Sequence, residues 1–267
     1  MRILYGIISI LFVSMSAFCQ IPYTLNMQGV QFPTGMSAIS INENIFSCDT
    51  LPISKNSCSI SYQPSRFGLS EISPISAIYQ NKMLEKINLI AGADYFGYDL
   101  YNELAAKIGA VSQIKYLEIG AQAIYHRASI KDYGNSSAIS IDLFSKLNLL
   151  NNLAFGLLLQ NINRAYYSSA NRTVPQSAIF SIGWMPFDHL GIDFGTNLDL
   201  NSAASVQAGL KYYFNQYLQA NIKCNSKPFL IIAGANLSAL DYLNILFYFR
   251  YDEHFGYDQI LGIEFNF

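Results

Sequence analysis

The sequence predicts an all-β protein: a transmembrane antiparallel up-and-down β-barrel of about 14 strands, preceded by an N-terminal plug-like segment. Three observations carry the prediction. The chain opens on an export signal, most of the remainder alternates apolar and polar residues at period two, and charge is confined to one side of that alternation. Of 267 residues, 51% are hydrophobic and only 13% are charged, against about 25% charged in ordinary soluble domains. Such a surface either meets something other than water or encloses an unusually large core. A formal net charge of -2, with no basic stripe along the chain, excludes the electrostatic footprint of a nucleic-acid binder.

Arg2 supplies a positive start, Ile3 to Phe18 form an apolar run, and Ser14, Ser16 and Ala17 lead to Cys19 and Gln20. This is the order of a signal peptide, expected over residues 1–19. Phe18 is a poor neighbour for lipid attachment at Cys19. Residues 20–56 lack strand rhythm. Their Pro22, Gly29, Pro33, Gly35 and the apolar stretch Met36–Ile41 suit either a plug folded into a lumen or a periplasmic lead, and their apolar content argues against pure disorder. Cys48 and Cys58 would meet an oxidising compartment, where they form a small-loop disulfide or stay reduced and buried. No Cys/His cluster has metal spacing, and no cofactor is expected.

The barrel is expected over 57–267, with strands at 57–63, 72–80, 86–96, 102–114, 116–127, 137–149 and 153–163. The second half continues at 177–186, 190–200, 204–215, 217–225, 229–238, 243–252 and 257–267. These lengths suit tilted membrane strands of about 10 residues. The last segment shows the rhythm. Tyr257, Gln259, Leu261, Ile263, Phe265 and Phe267 share one face, while Asp258, Ile260, Gly262, Glu264 and Asn266 share the other. Val206–Asn215 repeats it, with Val206, Ala208, Leu210, Tyr212 and Phe214 opposite Gln207, Gly209, Lys211, Tyr213 and Asn215. The longest apolar run, Phe229 to Phe249, holds Asn236, Asp241 and Asn244. A charge near the centre of an inserted helix costs ~3 kcal/mol, so the run reads as two strands around a turn.

An even strand count puts both termini in the periplasm, and the links agree with that topology. Inner links are mostly short, at Lys115, 150–152, 187–189, Gln216 and 239–242. The longest links, 128–136 and 164–176, fall outside. A β-sandwich also alternates, but its polar face meets bulk water. Here Glu118, Lys146, Asp193, Lys211, Arg250 and Glu264 share the polar face with glycines such as Gly92, Gly120, Gly209 and Gly234. Small residues among charges of both signs suit a crowded concave lumen. On the oily face Tyr95, Tyr125, Trp184, Phe214, Tyr251 and Phe267 fall near strand ends, as interfacial girdles do.

No enzyme is expected. There is no GxSxG elbow and no phosphate-cradling glycine loop before a helix. Asp252, His254 and Asp258 near the outer rim form the one acid/base grouping that a rim hydrolase would use, although turns between strands are rich in such residues anyway. The lumen is more informative. Ile90, Phe96, Val111, Ile124, Phe144, Leu158, Ile179, Ile232, Leu246 and Tyr248 are expected inside, beside the charges. Mixed walls suit an amphipathic ligand; a lumen filled by its own side chains is the alternative. Lys107, Glu118, Lys211 and Arg250 are the ligand-binding candidates, the basic members offering a grip on a carboxylate head group. Pairing with Asp142, Asp193, Glu264 or one another is their other expected fate.

With an export signal, a plug-sized segment and about fourteen strands ending at Phe267, the layout resembles the FadL-like long-chain fatty-acid transporter superfamily. Ser59-Ile-Ser-Tyr-Gln-Pro-Ser-Arg-Phe-Gly-Leu-Ser-Glu-Ile72 is similar to the first hairpin of the PorV/PorQ-type branch of Bacteroidetes-related bacteria, as is Gly35-Met36 to a Gly-Met segment of that branch. The branch's Asn-Pro-Ala element is absent, with Leu51-Pro52 nearby. The resemblance implies an outer-membrane protein, surrounded by outer-membrane lipid, that takes up a hydrophobic or amphipathic small-molecule ligand behind a movable plug. It equally implies a non-transporting scaffold with a secretion-system partner or a role in surface attachment.

Overall fold

In the computed structural model the described residues are 56–64, 73–84, 87–150, 152–167, 174–199, 204–254 and 256–267. They form fourteen strands. The first seven are β1 (Ser57–Tyr62), β2 (Ile75–Leu84), β3 (Ile87–Tyr98), β4 (Tyr101–Ile114), β5 (Leu117–Ile130), β6 (Gly134–Leu150) and β7 (Leu153–Gln160). There follow β8 (Ser177–Phe187), β9 (Leu190–Asp199), β10 (Ser205–Tyr213), β11 (Leu218–Ser226), β12 (Phe229–Leu240), β13 (Leu243–Asp252) and β14 (Gly256–Asn266). Every strand pairs with its sequence neighbours and β1 pairs antiparallel with β14, so the barrel closes. The expected signal peptide, 1–19, lies outside the described residues, as does the expected plug, 20–56, apart from Asn56.

Closure follows from where the backbone must go. Hydrocarbon offers no hydrogen bonds, so an open sheet edge is not tolerated there. The seam runs from Ser57 opposite Asn266 to Tyr62 opposite Leu261. Beyond it, the Phe267 N–H donates to Asn56 O at 3.0 Å, and the Phe267 ring stacks on Tyr79 with centroids 6.4 Å apart. Pairing is continuous among the described strands. The four register shifts, at Lys82/Leu84, Asn148/Leu150, Trp184/Phe187 and Ser238/Leu240, all fall near the end of the barrel where β1 starts and β14 finishes. That turn end carries the short links 85–86, 115–116, 151–152, 188–189, 214–217 and 241–242, whereas the opposite loop end carries 63–74 and 161–176.

Each strand turns one set of alternate residues inward. Ile90, Phe96, Val111, Phe144, Leu158, Ile179, Ile232, Leu246 and Tyr248 are all buried on that side, as the alternation predicts. The other set includes Ile108, Ile141, Phe180, Ile182, Phe247 and Ile263, all exposed on the outer wall. Tyr95, Tyr125, Trp184, Phe214 and Phe267 are exposed there too. An exterior this apolar is the surface that lipid tails, not water, would cover.

The main departure from expectation lies at the loop end. The segment 128–136 is not a long loop. β5 and β6 run on to a turn at 131–133, where Asp132 has φ 65° and Gly134 φ 94°, and the Tyr133 N–H donates to Ile130 O at 3.1 Å. Asp and Gly accept positive φ more readily than other residues, so a polar stretch becomes a tight hairpin. At the other end β2 continues to Leu84, shortening the expected inner link. β7 stops at Gln160 because Asn161 turns the chain with φ 50°. Cys58 and Cys224 are free thiols on outward positions; Cys48 lies outside the described residues.

Candidate functional site: the barrel lumen

The lumen has two unlike sectors. On β12–β14 and β1–β8 the inward side chains include the buried aliphatic and aromatic residues named above. On β9–β11 the inward positions hold Asp193, Asn197 and Asp199, then Ser205, Gln207 and Lys211, then Gln219, Asn221, Lys223 and Asn225, with Gly191, Gly195, Gly209 and Tyr213 between them. No aliphatic side chain faces inward on these three described strands. Most of their inward residues are only half-buried, whereas those of β14 are buried almost throughout. Elsewhere the wall is mixed: a belt of buried apolar side chains stands among the charged Asp94, Lys107, Glu118, Lys146, Arg250 and Asp258.

The belt is close-packed. Tyr248 lies flat over Gly234, where any Cβ would collide with the Tyr248 ring; the missing side chain makes the place for the aromatic. The Tyr248 hydroxyl donates to Asn236 Oδ1 at 2.6 Å and accepts from Asn221 Nδ2 at 3.0 Å. A buried ring thus ends on polar partners at the edge of the polar sector.

All four predicted ligand residues face inward, but they stand on four different strands. Lys107 on β4 makes an ion pair with Asp94 at 3.0 Å, and the Ser76 hydroxyl also donates to Asp94. Arg250 on β13 grips Asp258, its register partner on β14, through Nε and Nη2, with both side chains buried. Glu118 on β5 is fully buried opposite Lys146 on β6 and accepts from Asn148 Nδ2 at 3.1 Å. Lys211 on β10 is half-buried between Gly191 and Asn221 in register. Arg250 thus pairs with Asp258 rather than with the expected Asp142, Asp193 or Glu264, whereas Lys107 pairs with Asp94 and also stands within electrostatic reach of the expected Asp142. Asp94 was within reach of the alternation, since it falls on the same side as Ile90 and Phe96.

The rim grouping separates. Asp258 belongs to the lumen ion pair, Asp252 Oδ1 accepts from the backbone N–H of His254 at 2.9 Å, and the His254 ring lies 3.6 Å from Glu253. Those contacts describe a capped turn beside a lumen ion pair. His126 instead faces Ser140, with Nε2 2.8 Å from Oγ.

A second polar knot, with no signal in the alternation, sits where β7 ends. Buried Asn161 accepts from the Ala165 N–H at 2.7 Å and donates through Nδ2 to Val174 O at 2.8 Å, while its own N–H donates to Asp142 Oδ1 at 2.8 Å. This draws Ala165, Tyr167 and Val174 into a small buried cluster with Ala138.

No family model and no curated protein matches the sequence. Solved structures do match. The CymD monoaromatic hydrocarbon channel superposes with a TM-score of 0.56 at 10% identity, over 79% of this chain and 88% of that one. A TodX monoaromatic hydrocarbon channel mutant gives 0.57 at 8% identity, over 79% and 88%. The outer membrane protein Omp33 of Acinetobacter baumannii gives 0.53 at 12% identity, over 80% and 98%. The likeness is one of fold. By their descriptions two are channels and one is an outer membrane protein, and this chain shares their architecture.

Proposed function

We propose that this chain is an outer-membrane channel, with both termini on the periplasmic side, through which small hydrophobic or amphipathic molecules pass without chemistry. One observation carries the proposal: the lumen wall is amphipathic, with no aliphatic side chain inward on the described β9–β11 and buried apolar side chains set among ion pairs on the other strands. A solute with an oily body and a polar group finds a surface for each. An aqueous diffusion pore would be lined more uniformly with polar groups. The likeness in fold to two hydrocarbon channels, and the resemblance to the FadL-like superfamily, agree with this reading.

Gly209 offers a direct test. A Cβ there would sit 3.6 Å from Asp193 Cβ and Oδ2, an ordinary contact, so Gly209→Trp can fold while projecting an indole into the lumen. Single-channel conductance of the reconstituted protein is expected to fall several-fold in this variant, with heat-modifiable gel migration unchanged. Unaltered conductance in a folded Gly209→Trp barrel would place the path elsewhere and remove the support for the proposal.

A further inference from the structure

We infer that the lumen prefers small amphipathic cations, such as ammonium-bearing aromatic molecules, over carboxylates; the inference rests on the channel reading and names its solute class. The first observation is the balance of charge. Among the described strands nine acidic and six basic side chains occupy inward positions. The bases largely face acids of their own: Lys107 has Asp94, Arg250 has Asp258, Lys146 stands opposite Glu118, and Lys223 stands across Gly209 from Asp193. Two carboxylates, Glu103 and Glu264, are held by neutral donors instead, and Asp142 takes neutral donors as well as the field of Lys107. The Tyr101 hydroxyl donates to Glu103, Gln122 Nε2 and the Asn161 N–H donate to Asp142 at 2.8 Å each, and Asn244 and Asn266 serve Glu264.

The second observation is unspent hydrogen-bonding capacity. Asn197 Oδ1, Gln207 Oε1 and Asn225 Oδ1 are buried acceptors with no partner among the described residues. They sit on the three consecutive strands of the polar sector, with Gln207 directly opposite Asn225 and only 3% exposed. Towards the turn end Gln80 Oε1, Asn88 Oδ1 and Glu118 Oε2 are further acceptors of this kind, against one donor, Asn88 Nδ2. A buried acceptor without a donor carries a desolvation cost that an incoming donor relieves. An ammonium group brings three donors and no acceptor. A carboxylate brings only acceptors and adds to the excess of negative charge. Buried apolar side chains on the remaining strands, Phe96 and Tyr248 among them, offer the apolar body its contact surface.

The full chain reconstituted in planar bilayers tests this through reversal potentials. In a KCl gradient the potential should have the sign of potassium over chloride. With benzylammonium chloride or potassium benzoate on one side, benzylammonium should be the more permeant by about fivefold or more, the scale of one hydrogen bond. Gln207→Leu and Glu103→Gln should each move that ratio towards unity. A chloride-selective or unselective pore, or benzoate as permeant as benzylammonium, overturns the inference. Should the protein not conduct at all, the channel reading fails by itself, and binding still decides this one. The side-chain amide resonances of Asn197, Gln207 and Asn225 in nitrogen-labelled protein should then shift with benzylammonium and not with benzoate; no shift overturns it.

Discussion

Arg250 shows how a charge survives inside this barrel. Its guanidinium and the Asp258 carboxylate are both buried and face each other across two adjacent strands, so neither charge is left without its counterpart. Breaking such a pair by removing one partner leaves a buried charge alone, at a cost of about 3–5 kcal/mol, whereas replacing both with apolar groups of similar volume is often close to neutral. Arg250→Met is therefore expected to lower the unfolding midpoint in denaturant sharply. The double variant Arg250→Met/Asp258→Leu is expected to recover most of the loss. If the single variant were as stable as the parent, the pair would not carry the role assigned to it. Residue types alone marked Arg250 as an inward cation, and the alternation placed it correctly. Its partner depended on register: positions 250 and 258 meet only because Asp252 on β13 stands opposite Gly256 on β14, a fact that face assignment does not contain.

At the scale of elements, alternation found all fourteen strands because one wall of each is apolar and the other is not, and that contrast survives even where the turns are obscure. Element ends were less legible. The stretch 128–136 is rich in polar residues, yet Asp132 and Gly134 let it close as a hairpin. Conversely, the alternation of β7 continues on paper to 163, whereas the chain leaves the strand at Asn161. That residue fixes the start of the β7–β8 link through two side-chain bonds and one backbone bond. Asn161→Ala removes both side-chain bonds and is expected to cost about 1–3 kcal/mol, concentrated in the link. Limited proteolysis of the folded variant should show new cleavage within 161–176, with the remaining barrel resistant. Equal protease resistance of parent and variant would show that Asn161 does not hold the link.

At the scale of the whole molecule, the two sectors of the lumen were not legible, because they appear only when β9–β11 are set opposite the rest of a closed ring. The individual inward residues were legible one strand at a time; their collective asymmetry was not. The barrel itself depends on a simpler property, that the outward positions touch hydrocarbon. Spin labels placed singly along β14, at 259, 261, 263 and 265 on one face and at 260, 262 and 264 on the other, measure this directly in a reconstituted bilayer. Collision with oxygen, which dissolves in lipid, is predicted to be high at the odd positions and low at the even ones, at period two across the strand. Uniformly low oxygen accessibility at the odd positions, or high accessibility there to a water-soluble relaxant, would mean that another protein layer or water covers the outer wall, and would contradict a membrane-spanning barrel.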